Sequence, residues 1–202
     1  MSKRQKEGAL LFFGKAGCVS CHAVAGQANE MFSDFKLHRI GGPQVFPLFG
    51  YGLGSVVFDG PGQNEDFGVE QTTGNPALRY MFRTAPLRNL AVAPAFFHNG
   101  AFGSIQAAIG HHVDVVSSAT GYNPAANDLP ADLFVGPIAP VLAAGIDPLL
   151  AAPLSLKPKE LKALTAFVEE ALLDERVADF CQEVPATVPS GLPVAQFDGC
   201  GL

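Results

Sequence analysis

The residues best suited to chemistry lie near the start of the chain, where two thiols and an imidazole occur together. Cys18-Val19-Ser20-Cys21-His22 is a C-x-x-C-H motif. Thiols at this spacing can reach the two vinyl groups of one haem, and the adjacent histidine then lies beneath the iron. The alternatives are a zinc half-site, which needs two further ligands, and a redox-active dithiol, which needs a preceding strand. The motif therefore predicts one covalently attached haem c, with His22 as the proximal ligand.

The second axial position of such an iron has several candidate donors in the sequence. Ile105, Ile109 and His112 are spaced i, i+4, i+7, so they share one face of a helix that we expect to begin at Ser104. His111 lies on an adjacent face and is expected to point elsewhere. Spacing thus favours His112 and leaves the alternatives open. The other candidates are Met31, Met81, His38, His98, His111 and Tyr122.

Two arginines, Arg83 and Arg88, lie among small and apolar residues and are candidates to neutralise the haem propionates. A guanidinium offers a carboxylate a charge-assisted pair of hydrogen bonds. The alternative is that both are ordinary surface arginines; Arg79 and Arg39 are weaker candidates for the same role. His98-Asn99-Gly100 is typical of a polar turn.

Three helices are expected to position these residues. The first spans 3–16, with Ser2 as its cap and an apolar face made of Leu10, Phe13 and the small Ala9 and Gly14. The second spans about 104–113. The third spans about 158–173, with its proline in the first turn. Its apolar face carries Leu161, Leu164, Phe167, Val168, Ala171 and Leu172.

The segments between the helices are rich in glycine and proline. Residues 24–79 are expected to be mostly irregular, with room for a short strand near 55–58, and 117–155 to form a further loop. We expect an all-α, cytochrome c-like haem domain over 1–175, with long irregular insertions. Residues 176–202 form a tail packed on it, in which Cys181 and Cys200 are either disulfide-bonded or unpaired.

Composition excludes several classes of protein. Hydrophobic residues make up 48% of the chain and charged residues 16%, which suits a folded core rather than disorder. The net charge is −6, which argues against a nucleic-acid partner and would suit a basic or dipolar protein. No apolar run is long enough to span a membrane. Residues 1–17 do not resemble a secretory signal, so we expect the chain as given to lack its natural start.

Three segments together resemble the C-terminal haem domain of the bacterial di-haem cytochrome c peroxidases, a superfamily that includes the MauG-like enzymes. They are TAPLRNLA at 84–91, APAFFHNGAF at 93–102 and SIQAAI at 104–109. The family pattern is a P-x-L-R-N segment, an aromatic turn ending in H-D-G or H-N-G, and a helix. With the C-x-x-C-H motif, the resemblance covers most of residues 5–175.

The resemblance implies site residues as well. The distal ligand of this haem lies fourteen residues beyond the turn histidine in the family, as Met or Tyr, and counting from His98 arrives at His112. A second imidazole should lower the reduction potential relative to a Met ligand. A calcium ion at a domain interface would use backbone carbonyls near Ala93 and Ala95. The cofactor-binding residues implied are Cys18, Cys21, His22, Arg83, Pro86, Arg88, Phe97 and His98.

The family carries a second C-x-x-C-H domain whose haem reacts with peroxide, and the 202 residues hold one such motif. The resemblance thus implies an exported, periplasmic electron-transfer domain that relays electrons from a small redox protein to a haem in a second domain. A homodimer is compatible with this. The alternatives are a stand-alone monohaem electron carrier without enzymatic activity and, as a third reading, a haem whose distal ligand moves away to permit direct chemistry.

Overall fold

Helices supply most of the regular structure, and two small sheets connect the segments between them. The computed structural model describes residues 1–25, 30–47, 65–130, 132–177, 185 and 187–192. The helices are α1 Lys3–Phe13, α2 Val69–Thr73, α3 Ile105–Val113, α4 Val115–Thr120, α5 Ala139–Ala143 and α6 Pro158–Ala166, and the strands are β1 Leu37–His38, β2 Val45–Pro47, β3 Phe82–Arg83 and β4 Leu133–Val135.

Helix α1 begins where its capping residues require. The Ser2 hydroxyl accepts a hydrogen bond from the Gln5 backbone N–H at 3.3 Å, and the Gln5 side chain accepts one from the Ser2 N–H at 2.6 Å. This reciprocal pair satisfies two donors that a helix start otherwise leaves unpaired. The predicted cap is confirmed, and the helix ends at Phe13, three residues earlier than expected.

The first and last helices cross at a glycine. A Cβ on Gly8 would lie 2.0 Å from the Ala163 carbonyl oxygen and 2.7 Å from the Phe167 Cβ, so the two backbones touch there. The core beside this crossing contains Phe12 and Leu164, each 1% exposed, with Ile105 from α3. The crossing therefore joins α1 to α6 over one apolar cluster.

The predicted apolar face of α1 is wrong. Leu10 is 77% exposed and Phe13 47% exposed, whereas Gly8 and Phe12 are the buried residues of the helix. The close approach at Gly8 determines which face turns inward, and glycine contributes nothing to a hydrophobic pattern. Two large apolar side chains are consequently left on the outer surface.

Helices α3 and α6 confirm their predictions. Ser104 caps α3 by accepting a hydrogen bond from the Ala107 N–H at 3.2 Å. Helix α6 continues as a π-helical segment, Phe167–Ala171, so that the predicted extent is nearly reached. The four innermost residues of its predicted apolar face are each 1–4% exposed, namely Leu164, Phe167, Val168 and Leu172.

The connecting segments hold more structure than expected, and the fold is not strictly all-α. Strand β1 pairs with β3, and β2 pairs with β4, both antiparallel. The segment 117–155, expected as a loop, contains the end of α4, strand β4 and α5. The described part of 24–79 is mostly irregular, as predicted.

Two predictions fall on residues that the structure does not describe. The strand near 55–58 and the Cys181–Cys200 disulfide both lie outside the described ranges. The domain boundary near 175 stays a prediction. Among the described helices, none is long and apolar enough to cross a membrane.

Candidate functional site

The C-x-x-C-H motif follows directly from the end of α1. Gly17 adopts a left-handed conformation with φ 65°, and a 3-10 turn at Cys18–Ser20 follows. The His22 backbone N–H donates to the Cys18 carbonyl at 2.9 Å. This turn gathers the two cysteines and the histidine of the motif into one short segment beneath the helix.

Both cysteines of the motif are free thiols and half-buried. Burial raises the pKa of Cys18 to about 11. The pKa of Cys21 is raised as well, first by burial and then by the negative charges of Asp147 and Asp34. A redox-active dithiol requires a thiol pKa that is lowered, so this environment argues against that alternative. Within the described ranges, no group of three or more His, Cys, Asp or Glu side chains is arranged so that it could hold a metal ion such as zinc.

His22 is held through one ring nitrogen. Its Nδ1–H donates to the Phe32 carbonyl at 3.0 Å, in the tautomer that leaves the Nε2 lone pair for a metal. Burial and, to a smaller extent, a charge on His112 lower the pKa of His22 to about 4. The ring is therefore neutral at physiological pH, which is the state in which imidazole binds a metal ion.

His112 is held in the same manner on α3. Its Nδ1–H donates to the Ala108 carbonyl at 2.8 Å, and burial lowers its pKa. The Phe97 ring lies edge-on to it, with centroids 5.5 Å apart. The donor set thus fits a haem c. Two free thiols are available for attachment, and there are two neutral imidazoles, each of which is oriented by a hydrogen bond from Nδ1 to a backbone carbonyl.

The histidine and tyrosine rivals for the second axial position have side-chain hydrogen-bond partners elsewhere. His38 bonds to two carboxylates, and His98 Nε2 lies 2.7 Å from Asp66 Oδ2. The Tyr122 hydroxyl donates to the Ala101 carbonyl. Met31 is 40% exposed, and Met81 lies in a β-bridge with Gly68. Among these candidates the geometry therefore favours His112.

His111, expected on a face adjacent to that of His112, is fully buried. Its Nε2–H donates to the Ile40 carbonyl at 2.8 Å, and its Nδ1 accepts from the Ser118 hydroxyl at 3.0 Å. Burial lowers its pKa to about 4. His111 therefore ties the end of α3 to two other segments. No sequence signal indicates this role, since helical spacing shows only that His111 lies on a face adjacent to that of His112.

The two candidate propionate arginines are exposed. Arg83 stacks over the Phe35 ring at 4.4 Å. Arg88 donates from Nε to the Glu30 carbonyl at 2.7 Å and lies 5.7 Å from the centroid of Phe32, whose carbonyl holds His22. Arg88 is thus the arginine tied to the proximal side.

The weaker arginine candidates and the turn histidine have other partners. Arg79 pairs with Glu70, and Arg39 donates to the carbonyls of Arg79 and Ala77. His98 stacks on the Phe82 ring with centroids 3.7 Å apart, and Pro86 is half-buried. His98 therefore fixes the aromatic turn against 65–82.

A charged cluster that no local sequence pattern indicates lies beside Cys21. His38 lies between two carboxylates, with Nδ1 2.6 Å from Asp147 and Nε2 3.2 Å from Asp34, and Nδ1 lies 4.0 Å from the Cys21 sulfur. Burial opposes a charge on this ring, but the hydrogen bonds to Asp147 and Asp34 outweigh it and raise the pKa of His38. Lys36 is the other charged group that acts on Cys21 here.

Asp147→Asn tests the cluster through the pH dependence of stability. Because the pKa of His38 is raised in the folded state, protonated His38 stabilises the fold. This contribution is complete at pH values below the ordinary pKa of 6.5, and it is lost as the pH rises through the raised pKa. The lowered pKa values of Asp34 and Asp147 give stability lost as pH falls below their ordinary 3.8. We expect the substitution to cost about 2 kcal/mol near pH 5.5 and progressively less toward pH 9.

Urea unfolding at a series of pH values measures this effect. Asp128→Asn is the matched control, because Asp128 occupies a left-handed turn position that asparagine tolerates equally. A cost for Asp147→Asn that stays constant from pH 5.5 to 9 would contradict a charged His38.

Comparison with known proteins gives relatives of one kind. The cytochrome-c peroxidase IdrP1 of Pseudomonas sp. (strain SCT) is 34% identical over 109 residues, covering 50% of this chain and 29% of the relative. The methylamine utilization protein MauG of Methylorubrum extorquens is 32% identical over 108 residues, covering 54% of this chain and 24% of MauG. The matched part is therefore under a third of either relative. No family model matches the chain.

The fold is also similar to that of a solved diheme peroxidase. The diheme peroxidase BthA from Burkholderia thailandensis superposes with a TM-score of 0.58 at 19% identity, over 97% of this chain and 47% of that chain. The fold thus recurs in about half of a two-haem enzyme. By sequence and by fold, this chain matches a C-terminal haem domain of the bacterial di-haem cytochrome c peroxidase and MauG-like family.

Proposed function

We propose that this chain carries one haem c and serves as the electron-transfer domain of a di-haem peroxidase-type oxidoreductase. Cys18 and Cys21 would attach the haem, and His22 and His112 would bind its iron. A small redox protein supplies the electrons, which pass to a peroxide-reactive haem in a second domain. A bound haem c supplies a one-electron couple at its iron.

One observation carries this proposal: His22 and His112 are both neutral, are near enough for a charge on His112 to lower the pKa of His22, and are held alike. Each donates from Nδ1 to a backbone carbonyl, of Phe32 and Ala108 respectively. Histidines that bind metals usually donate their other ring N–H in this way, which fixes the tautomer and the direction of Nε2. Two such rings favour a closed, six-coordinate iron, which suits electron transfer better than direct reaction with peroxide.

The other residues of the chain position these ligands and exclude water. Phe12, Leu164 and Phe167 pack beside the motif, and Cys18 and Val19 contact the same apolar cluster. Phe97 contacts the rings of both His111 and His112 from one edge. An apolar, protected surrounding of this kind controls solvent access and thereby the reduction potential of a bound iron.

Replacing both attachment cysteines tests the proposal directly. We expect Cys18→Ala/Cys21→Ala, produced with a haem c maturation system, to lose all haem that resists acid–acetone extraction. The unmodified chain should retain one haem per chain, because each thioether is a covalent bond. The measurement is the pyridine haemochrome spectrum combined with the intact mass. A full haem complement in the double variant would refute covalent attachment at this motif.

Three further parts of the proposal follow from covalent attachment and from the family. The chain functions outside the cytoplasm, in the periplasm. A calcium ion near the carbonyls of Ala93 and Ala95 would belong to an interface with the second domain. A stand-alone carrier is the alternative function: an in-frame C-x-x-C-H upstream of Met1 in the gene would support the relay, and a signal peptide ending there would support the carrier.

A further inference from the structure

The lysines of this acidic chain are concentrated at its two helical ends. Although the net charge is −6, six of the seven lysines lie within 3–15 and 157–162. These two segments belong to α1 and to the start of α6, which cross at Gly8. Charges that are far apart in sequence are therefore collected on one side of the molecule.

Three of these lysines and one arginine surround one cleft. Lys3 and Arg4 of α1 and Lys159 and Lys162 of α6 are exposed and line a depression of about 390 Å³, together with the single carboxylate of Glu7. With Lys6 they form what we call the basic face. Lys15 is excluded from it, because it pairs with Glu160 at 2.9 Å.

Exposed apolar side chains adjoin the basic face. Leu10 is 77% exposed, Met1 62% and Phe13 47%, and with Lys6 they line a second depression of about 530 Å³. Exposed apolar residues with a charged rim are typical of a protein–protein interface. This arrangement also gives a function to the two side chains that the sequence pattern had wrongly placed in the core.

Aromatic contacts connect Phe13, beside the basic face, with the apolar cluster that adjoins the C-x-x-C-H motif. The Phe13 ring, half of it at the surface, lies 5.2 Å from the Phe12 ring and 6.1 Å from the Phe167 ring. Phe12 and Phe167 belong to the cluster that contacts Cys18 and Val19. A partner that covers Phe13 would therefore contact an aromatic cluster that reaches Cys18 and Val19 of the motif.

We propose that the basic face, with Leu10 and Phe13 beside it, is the docking surface for a small acidic redox protein that donates electrons. The inference rests on the proposed function. It assigns the donor a negative charge, whereas the net negative charge of the chain alone would predict a basic donor. Opposite charge accelerates encounter between proteins, and the small apolar area permits rapid release. The cations come from two crossing helices and line a concave cleft, which favours a protein partner over a flat lipid surface.

Binding of an acidic plant-type [2Fe–2S] ferredoxin to the oxidised, full chain tests the proposal by calorimetry. We expect measurable binding at 10 mM ionic strength and an affinity at least about tenfold weaker at 200 mM, because salt screens the charges. Lys162→Glu should weaken binding about tenfold at low salt. Arg176→Glu is the matched control, since it makes the same charge change beyond the opposite end of α6 and should alter the affinity less than about twofold.

The possible outcomes of this experiment either support or overturn the proposed docking surface. Binding that ignores salt, or that Arg176→Glu weakens as much as Lys162→Glu, would overturn the proposal. So would tighter binding of a basic mitochondrial cytochrome c, or binding to phosphatidylserine vesicles in place of ferredoxin. The visible spectrum of the same samples reports haem and its reduction by dithionite, so a failure of the proposed function is seen separately from a failure of docking.

Discussion

His112→Ala is expected to open the second axial position of the haem iron. The unmodified chain should show the low-spin spectrum of two imidazole ligands and no rapid change on adding peroxide. The variant should turn largely high-spin. If His112 occupies the iron about 99% of the time, cyanide can bind only to the remaining roughly 1% of molecules with an open site. Removing His112 opens the site in every molecule and should raise the cyanide affinity about 100-fold. Visible spectroscopy and cyanide titration measure both effects.

The controls remove rival donors. Tyr122→Phe and Met31→Leu should leave the spectrum unchanged, because the Tyr122 hydroxyl is bonded to Ala101 and Met31 is 40% exposed. His112→Met should keep the iron six-coordinate and raise the reduction potential, as a thioether does in place of an imidazole. A low-spin spectrum that survived in His112→Ala would show that another residue binds the iron, and a peroxide-reactive unmodified chain would show an open site.

Gly8→Ala is expected to destabilise the fold by about 3 kcal/mol. The new methyl group would lie 2.0 Å from the Ala163 carbonyl oxygen, a rigid backbone atom, so α1 and α6 would have to separate. Separation would loosen the cluster around Phe12 and Leu164 that adjoins the C-x-x-C-H motif. The cost of this steric clash is larger than the roughly 1 kcal/mol by which alanine stabilises a helix relative to glycine. Thermal and urea unfolding of the haem-loaded chain measure the loss.

A second helical glycine provides the matched control. A Cβ on Gly110 of α3 would meet no atom within 4 Å, so Gly110→Ala should stabilise the chain by up to about 1 kcal/mol through helix propensity alone. Equal and small effects of the two substitutions would contradict the close crossing at Gly8.

The sequence was most informative where a local signal carries the structure. Ser2 and Ser104 cap the helices they were predicted to cap, because side-chain capping depends on a few neighbouring residues. The apolar face of α6 was found from its period. The motif was found from spacing alone, and helical spacing and the family resemblance independently selected His112.

Features that depend on contacts between distant segments could not be predicted. The inward face of α1 is determined by the approach of Gly8 to Ala163, which no periodicity records. The anchoring of His111 needs Ile40 and Ser118, and the cluster at His38 needs Asp147, more than a hundred residues away. Short strands such as β4 form only because a partner strand is supplied from elsewhere in the chain.

The two small sheets and the helix crossing have a consequence for how fast the chain folds. The pairing of β1 with β3 joins segments roughly forty-five residues apart, and that of β2 with β4 joins segments roughly ninety residues apart. Large loops must therefore close before these strand pairs can stabilise the fold, and closing them is slow. Gln5 and Glu170, which bond across the helix crossing, are 165 residues apart. Folding should therefore take milliseconds to seconds rather than the microseconds of a simple helical bundle, and the apolar cluster beside the C-x-x-C-H motif would be completed only when the last helix arrives.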